Sequence, residues 1–191
     1  MGYPKRQRFY HKSIRLKGYD YSKAGSYFVT FCAQDRTRLF GVIKDGEMIL
    51  NDAGIMIDKW WNKIPQKFPD IELGSYQIMP DHFHAIVINN GAVQSIPGIN
   101  SDVTLETNEK EESIDGIMGL HVGSSLSTLV QWFKTMSTNE YIRGVKTLDW
   151  PPFKGKIWQR DYYECIIRNK RSFHNITNYI NNNPAKWNHS N

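Results

Sequence analysis

The alternation of apolar and polar residues predicts strands in four parts of the chain. Residues 25–34, GSYFVTFCAQ, combine β-branched and aromatic residues with partial alternation, which is typical of a strand. The stretches IELGSYQIMP (71–80) and DHFHAIVINN (81–90) predict two further strands joined by a short turn at Pro80. A fourth strand is predicted from WQRDYYECIIR, residues 158–168.

Helical periodicity predicts three helices around these strands. In residues 51–65 apolar residues recur at i, i+3, i+4 and i+7, Asn51 or Asp52 can cap the first turn, and Pro65 follows the end. A second helix is predicted from Ser124 and a third within residues 170–184. The three predicted buried faces are, in chain order, Ile57, Trp60, Trp61 and Ile64; Leu126, Leu129, Val130, Phe133 and Ser137; and Phe173, Ile176 and Ile180.

The predicted order of elements indicates an α+β fold. A βαββαβ core with an added C-terminal helix is typical of a ferredoxin-like or RRM-like antiparallel sheet with helices on one face. The 191 residues suffice for a single domain. Residues 91–123 are rich in Gly, Ser, Asn and acidic residues and contain no aromatic residue, so they are interpreted as a flexible acidic insertion.

The charge distribution indicates the kind of binding partner. The net charge is +5, yet the insertion holds six acidic residues and one basic residue, so the remaining chain is strongly basic. Seven basic residues fall within positions 1–23 of a basic N-terminal segment, 1–24. Such a surface favours a polyanion, and we expect nucleic acid. No apolar run is long enough for a membrane span and no signal peptide is evident, so a cytoplasmic location is expected.

Two histidines in the third predicted strand are candidates for a metal site. Side chains alternate along a strand, so His82 and His84 share one face and Phe83 points to the other. Their Cα atoms would lie about 7 Å apart, a separation that two imidazoles can close around one ion. The motif is short, however, and equally describes two hydrogen-bonded or exposed histidines on a half-polar strand.

The last predicted helix carries a candidate nucleophile. Tyr179 and Asn183 are four residues apart, so in a continuous helix they are neighbours beside the apolar stripe. Pro184 disfavours helical geometry at Asn183, which leaves Asn181 and Asn182 as alternatives. From spacing alone, Tyr179 also fits an ordinary packing residue, and the asparagines fit a helix end.

Four blocks of sequence, taken in order, closely resemble the REP-associated tyrosine transposases, a prokaryotic branch of the HUH single-strand nucleases. The blocks are residues 13–41, MPDHFHAIVI (79–88), 129–144 and 157–187. Two positions depart from the family pattern: Asp81 replaces the common Asn, and Cys165 replaces a usual His. The loss of that His puts in doubt any hydrogen bond or accessory metal contact it supplies in the family.

The resemblance implies a set of roles. His82, His84 and Asn183 correspond to the metal ligands, and Tyr179 to the catalytic tyrosine. The implied cofactor is a divalent metal, Mg²⁺ or Mn²⁺, and the implied reaction is attack on a DNA phosphate that forms a 5′-phosphotyrosine. The implied partner is single-stranded hairpin DNA of the repetitive extragenic palindrome type, with a monomer slightly favoured over a dimer. Candidate DNA contacts are Arg15, Lys17, Arg36, Arg38, Lys156 and Arg160.

Two other functions remain compatible with the sequence. A catalytically silent hairpin-binding module would bind the same DNA without forming a covalent adduct. A metal-dependent hydrolase that uses water would keep its activity when Tyr179 is replaced by Phe.

Overall fold

The computed structural model describes residues 19–91 and 124–187 of the chain. The strands are β1 (Gly25–Cys32), β2 (Gly41–Lys44), β3 (Glu47–Leu50), β4 (Ile71–Met79), β5 (His82–Asn89) and β6 (Tyr163–Ile167). The helices are α1 (Asp52–Asn62), α2 (Ile64–Lys67), α3 (Leu126–Thr147) and α4 (Lys170–Asn181), with 3₁₀ turns at Gln34–Arg36 and Pro184–Lys186. Residues 1–18 of the basic segment, with Arg15 and Lys17, and residues 92–123 of the predicted insertion lie outside the described residues.

A four-stranded antiparallel sheet in the order β4-β5-β1-β6 forms the centre of the described structure. With α1 after β1 and α3 after β5, the described chain follows the βαββαβ order, which confirms the predicted fold class. Helices α1 and α3 pack on one face of the sheet, and α4 packs on the other through Ile180, which meets Ile86 and Ile167.

Aromatic rings fill the space between the sheet and helices α1 and α3. Phe31 of β1 and Phe83 of β5 are cross-strand partners whose rings stack with centroids 5.8 Å apart. The ring centroid of Trp61 in α1 lies 4.7 Å from that of Phe83, and the ring centroid of Phe133 in α3 lies 5.3 Å from that of Trp61. All four side chains are buried, and such ring pairs add to the hydrophobic stabilisation from burial.

The first predicted helix begins as expected and ends earlier. Asn51 caps α1, its side chain accepting a hydrogen bond from Gly54 N at 2.9 Å. Helix α1 then ends at Asn62, and Pro65 lies in the first turn of the separate short helix α2, so the predicted helix end immediately before Pro65 is wrong. A proline fits a first helical turn because its missing N–H has no partner there in any case.

The second and third helices agree with the predicted faces. Ser125 caps α3 and Asn169 caps α4, each side chain accepting a backbone N–H three residues on. The five predicted core positions of α3 are all buried. The stripe on α4 packs against the sheet, although only Ile180 is fully buried.

Two features of the fold differ from the sequence-based expectation. Strand β6 begins at Tyr163 rather than at Trp158, because the residues before Tyr163 lie against α3. There the Lys134 ammonium donates to the carbonyl oxygen of Gln159 at 2.9 Å. The β2–β3 hairpin was not predicted. Its turn, Asp45 (φ 53°) and Gly46 (φ 79°), is the Asp-Gly pair favoured in two-residue hairpins, so the signal was present.

Candidate active site

The face of the sheet opposite the aromatic core holds both candidate histidines. In the β1–β5 register Cys32 is opposite His82 and Thr30 is opposite His84, while Gln77 of β4 flanks His84 on the other side. The strand pleat therefore places the histidine pair, His82 and His84, on the face to which α4 packs.

The imidazoles of the histidine pair converge on one point. Their Nε2 atoms are 3.0 Å apart, and the residues are only 5% and 6% exposed. His82 Nδ1 lies 2.5 Å from a carboxylate oxygen of Asp81, and His84 Nδ1 lies 2.7 Å from the Thr30 hydroxyl. Because a carboxylate accepts, His82 Nδ1–H donates to Asp81, and the Nε2 atom of His82 faces the Nε2 of its neighbour.

Burial keeps His84 in its neutral form. Removal from water, followed by the nearby His82 and Arg36, lowers the pKa of His84 to about 3. The ring of Phe28 stacks on that of His84 with centroids 5.5 Å apart and contributes to this apolar environment. A neutral imidazole is the form that binds a metal ion, so His84 is ready to act as a ligand at neutral pH.

An arginine supports the histidine pair through Asp81. Arg36 Nε lies 3.0 Å from the second carboxylate oxygen of Asp81, and Arg36 Nη1 lies 3.0 Å from Cys32 Sγ. Asp35 and Arg36 both have positive φ, at 54° and 55°, a backbone geometry that costs energy for residues other than glycine. Arg36 was predicted as a DNA contact; its guanidinium pairs with Asp81 while its side chain stays 48% exposed, and the DNA contact stays a prediction.

Helix α4 brings Tyr179 to the histidine pair. The Tyr179 hydroxyl lies 3.5 Å from His84 Nε2, with ring centroids 5.3 Å apart. The tyrosine is 47% exposed, so its hydroxyl is accessible to a bound substrate. The structure thus joins residues 95 positions apart that the sequence analysis could relate only through resemblance. The catalytic role of Tyr179 stays a prediction.

Asn183 lies just beyond the end of α4. The helix ends at Asn181 with Asn182 as its cap, yet Asn183 keeps helical angles (φ −62°, ψ −44°) despite the following Pro184. Its N–H donates to Ile180 O at 3.2 Å, so helical geometry continues into the 3₁₀ turn. The residue is half-buried, and its role as a third ligand stays a prediction.

The donor set fits a divalent ion. Within residues 19–91 and 124–187, no group of three or more His, Cys, Asp or Glu side chains is placed to hold a metal. The two converging imidazole nitrogens could act as ligands, and an amide oxygen and water could complete a shell that leaves positions for a phosphate. The Asp81 carboxylate supplies the orienting hydrogen bond that metal-ligating histidines usually make.

The other predicted DNA contacts fall in two separate places. Lys156 and Arg160 line a groove of about 460 Å³ beside α3. Arg38 lies near the histidine pair, its guanidinium carbon 5.9 Å from the centroid of the Trp187 ring. That ring is 5.6 Å from His82, a contact that the sequence analysis missed because no local pattern relates the two residues.

Comparisons with known proteins relate the chain to a family. The sequence model of the family described as "Transposase IS200 like" matches residues 104–183. An uncharacterised protein from Haemophilus influenzae is 32% identical over 178 residues, which cover 93% of this chain and 90% of the relative. Residues 104–183 thus match the IS200-like transposase family, and the predicted resemblance to a transposase family is confirmed at that level.

Two solved structures match the chain, and the first is similar in fold. A REP-associated tyrosine transposase bound to a REP hairpin is 19% identical, with a TM-score of 0.54, and the match covers 90% of this chain and 73% of that one. A putative transposase from Deinococcus radiodurans is 14% identical, with a TM-score of 0.43 and coverage of 88% and 95%. Among the described helices, none has the length and apolar character needed to cross a membrane.

Proposed function

We propose that this chain is a metal-dependent single-strand DNA endonuclease and strand transferase that acts on hairpin DNA through a 5′-phosphotyrosine intermediate. Tyr179 is the nucleophile, and His82 and His84 hold the divalent ion with Asn183 as the third ligand. One observation carries the proposal: the Tyr179 hydroxyl is 3.5 Å from His84 Nε2, which in turn is 3.0 Å from His82 Nε2.

The residues around the histidine pair prepare it for a metal ion. Asp81 and Thr30 each bind one Nδ1 atom, which leaves both Nε2 atoms directed at a common position. A divalent ion bound there, Mg²⁺ or Mn²⁺, would supply Lewis-acid stabilisation of the charge on a scissile phosphate. Phe28, stacked on His84, keeps water away from one side of the ring.

Tyr179 is positioned by the packing of α4 rather than by a general base. Ile180, its neighbour on the helix, is fully buried against Ile86 and Ile167, which fixes the helix on the sheet. The Tyr179 ring also meets Phe28 edge-to-face, with centroids 6.1 Å apart. Holding a nucleophile in line with its target replaces a bimolecular encounter and lowers the barrier substantially.

The proposed step is a transesterification. The phenolic oxygen of Tyr179 forms a bond to phosphorus, the bond from phosphorus to the 3′-oxygen of the preceding nucleotide breaks, and the phenolic proton is transferred through solvent to that oxygen. The products are a 5′-phosphotyrosine and a free 3′-hydroxyl, and attack by another 3′-hydroxyl reverses the step. No oxidant and no external energy source is required.

Tyr179 meets His84 of the same chain, so the tyrosine and the histidine pair come together without a second subunit. This supports a monomer as the active form. Hairpin DNA is the proposed substrate because the solved structure of similar fold is bound to a REP hairpin and because Arg36 and Arg38 lie beside the histidine pair.

The deciding experiment looks for the covalent intermediate. Labelled single-stranded hairpin DNA is incubated with the protein and Mn²⁺ or Mg²⁺, and adducts are separated on a denaturing gel. The wild-type protein forms a metal-dependent adduct, and Tyr179→Phe forms none. Tyr163→Phe is the matched control, because Tyr163 is also exposed and its ring also meets Phe28.

Two results contradict the proposal. If varied hairpins give no adduct with metal-loaded protein, the chain binds DNA without processing it. If Tyr179→Phe still cleaves DNA, water is the nucleophile and Tyr179 is a packing residue.

A further inference from the structure

A cavity of about 480 Å³ lies next to the histidine pair, between the β2–β3 hairpin and the 3₁₀ turn that follows α4. Val42 and Ile49 of the hairpin form one wall, Trp187 another, and Arg38 and Pro80 also line it. Its volume lies in the range of small-molecule sites, roughly 300–1,000 Å³. None of these five residues has a role in the proposed chemistry.

The walls suit a flat aromatic ligand with a charged substituent. Val42 and Ile49 are 60% and 50% exposed, so an apolar surface is left in contact with water. The half-buried Trp187 offers an indole ring, and the Arg38 guanidinium lies 5.9 Å from the centroid of that ring. Aromatic and apolar surface beside one arginine is the combination that binds a nucleobase by stacking and its phosphate by charge.

The cavity adjoins the candidate active site through Trp187. The Trp187 ring lies 5.6 Å from that of His82 and is inclined to it by 30°, and Pro80 is two residues before His82. Tyr179, by contrast, contacts His84. The nucleophile and the cavity therefore adjoin different members of the histidine pair.

We propose that this cavity binds the base of the nucleotide on the 5′ side of the scissile phosphate, stacked on Trp187, with Arg38 near its phosphate. The proposal rests on the function proposed above. In an in-line displacement the leaving 3′-oxygen is opposite the attacking phenol. With Tyr179 at His84, the nucleotide that carries the leaving oxygen lies toward His82 and so toward Trp187.

The test combines a scan of the DNA with a variant of the cavity. Hairpin oligonucleotides with a single abasic site at successive positions are titrated against Tyr179→Phe protein, which cannot cleave them, and binding is measured by fluorescence anisotropy. We expect an abasic site immediately 5′ of the phosphate cleaved by the wild type to weaken binding about tenfold. In Tyr179→Phe/Trp187→Ala the intact DNA binds about tenfold more weakly, and the same abasic site has no further effect.

A second variant tests the cavity independently, in case Trp187→Ala does not fold. Val42→Glu adds a negative charge to an exposed position of the cavity and should weaken DNA binding about tenfold. Leu148→Glu is its control, since Leu148 is 63% exposed and does not line the cavity. An equal loss in both variants would reflect general repulsion and would overturn the proposal.

Each negative result has a distinct meaning. The proposed base site is overturned if Trp187→Ala does not cancel the effect of an abasic site at any position. It is also overturned if Trp187→Ala cancels that effect only at a position other than the 5′ neighbour. A change of oligomeric state in Trp187→Ala without base coupling assigns the cavity to a second copy of the chain and also overturns it. If Trp187→Ala cancels the abasic-site effect at one base but the wild-type protein forms no adduct, the proposed chemistry is wrong and a base pocket at Trp187 remains.

Discussion

The two faces of strand β5 differ in what their side chains do. On one face Phe83, Ala85 and Val87 are completely buried under α1 and α3. On the other, His82 and His84 are almost as buried, but each ring nitrogen has a polar neighbour, and the covering helix leaves Tyr179 half exposed.

This difference shows how one strand supports both stability and chemistry. The aromatic face is stabilised by close packing, which is insensitive to metal and DNA. The histidine face is held by directed hydrogen bonds with Asp81 and Thr30, so its geometry can be changed without disrupting the core. Substitutions on adjacent residues should therefore have effects of different kinds.

The largest expected effect is on chemistry, in His84→Ala. Without this ligand we expect Mn²⁺ binding and the covalent DNA adduct to fall below detection, while the free energy of unfolding changes by about 1 kcal/mol or less. Isothermal titration with Mn²⁺ and urea unfolding measure the two quantities. His174→Ala, on the exposed surface of α4, is the control. A large loss of stability in His84→Ala would show that the two faces are not separate.

The converse substitution is Phe83→Ala on the same strand. Removing this fully buried ring, which contacts Phe31 and Trp61, should lower the free energy of unfolding by about 3–5 kcal/mol. Mn²⁺ affinity of the folded fraction should change little, since the histidine pair lies on the opposite face. Urea unfolding and Mn²⁺ titration at low temperature check both points. Weakened metal binding with intact stability would contradict the comparison.

A smaller effect is expected for Asp81→Asn, which restores the residue common in the family. The amide can still accept from His82 Nδ1, but it lacks the charge that makes the imidazole a stronger ligand and loses the ion pair with Arg36. Mn²⁺ affinity should fall about tenfold with little change in stability. Metal titration in the absence of DNA provides the readout. Unchanged Mn²⁺ affinity would show that Asp81 only orients the His82 imidazole, which an amide at this position does equally well.

The smallest effect concerns Lys134, on the packed side of the molecule. Burial lowers the pKa of Lys134 to about 8, against the opposing influence of Asp161 and Cys32. The folded-state value lies below the unfolded one of 10.5, so unfolding takes up a proton between these values and the contribution of Lys134 to stability rises with pH across that window.

Relative to Lys134→Met, the wild type should therefore gain about 1 kcal/mol of unfolding free energy as the pH is raised from 8 to 9. Urea unfolding of both proteins across this range measures the difference. A difference that stays constant with pH would show that the ammonium remains charged in the fold, held by the carbonyl oxygen of Gln159.

Much of this protein follows from its sequence. The period of two in β5 determines that His82 and His84 share a face opposite Phe83, and helical spacing identifies the buried residues of α3. These features are local, because residues a few positions apart have a fixed relation once the backbone type is set. The shared motifs also identify the family, and with it the residues to examine.

Other features were decided only by tertiary structure. The approach of Tyr179 to His84, the ion pair of Arg36 with Asp81 and the contact of Trp187 with His82 depend on how distant segments pack. No periodicity encodes such distances, since they are set when the buried stripe of α4 meets the sheet and when the chain turns after β1. Sequence therefore determined which side chains share a face, and packing determined which of them meet.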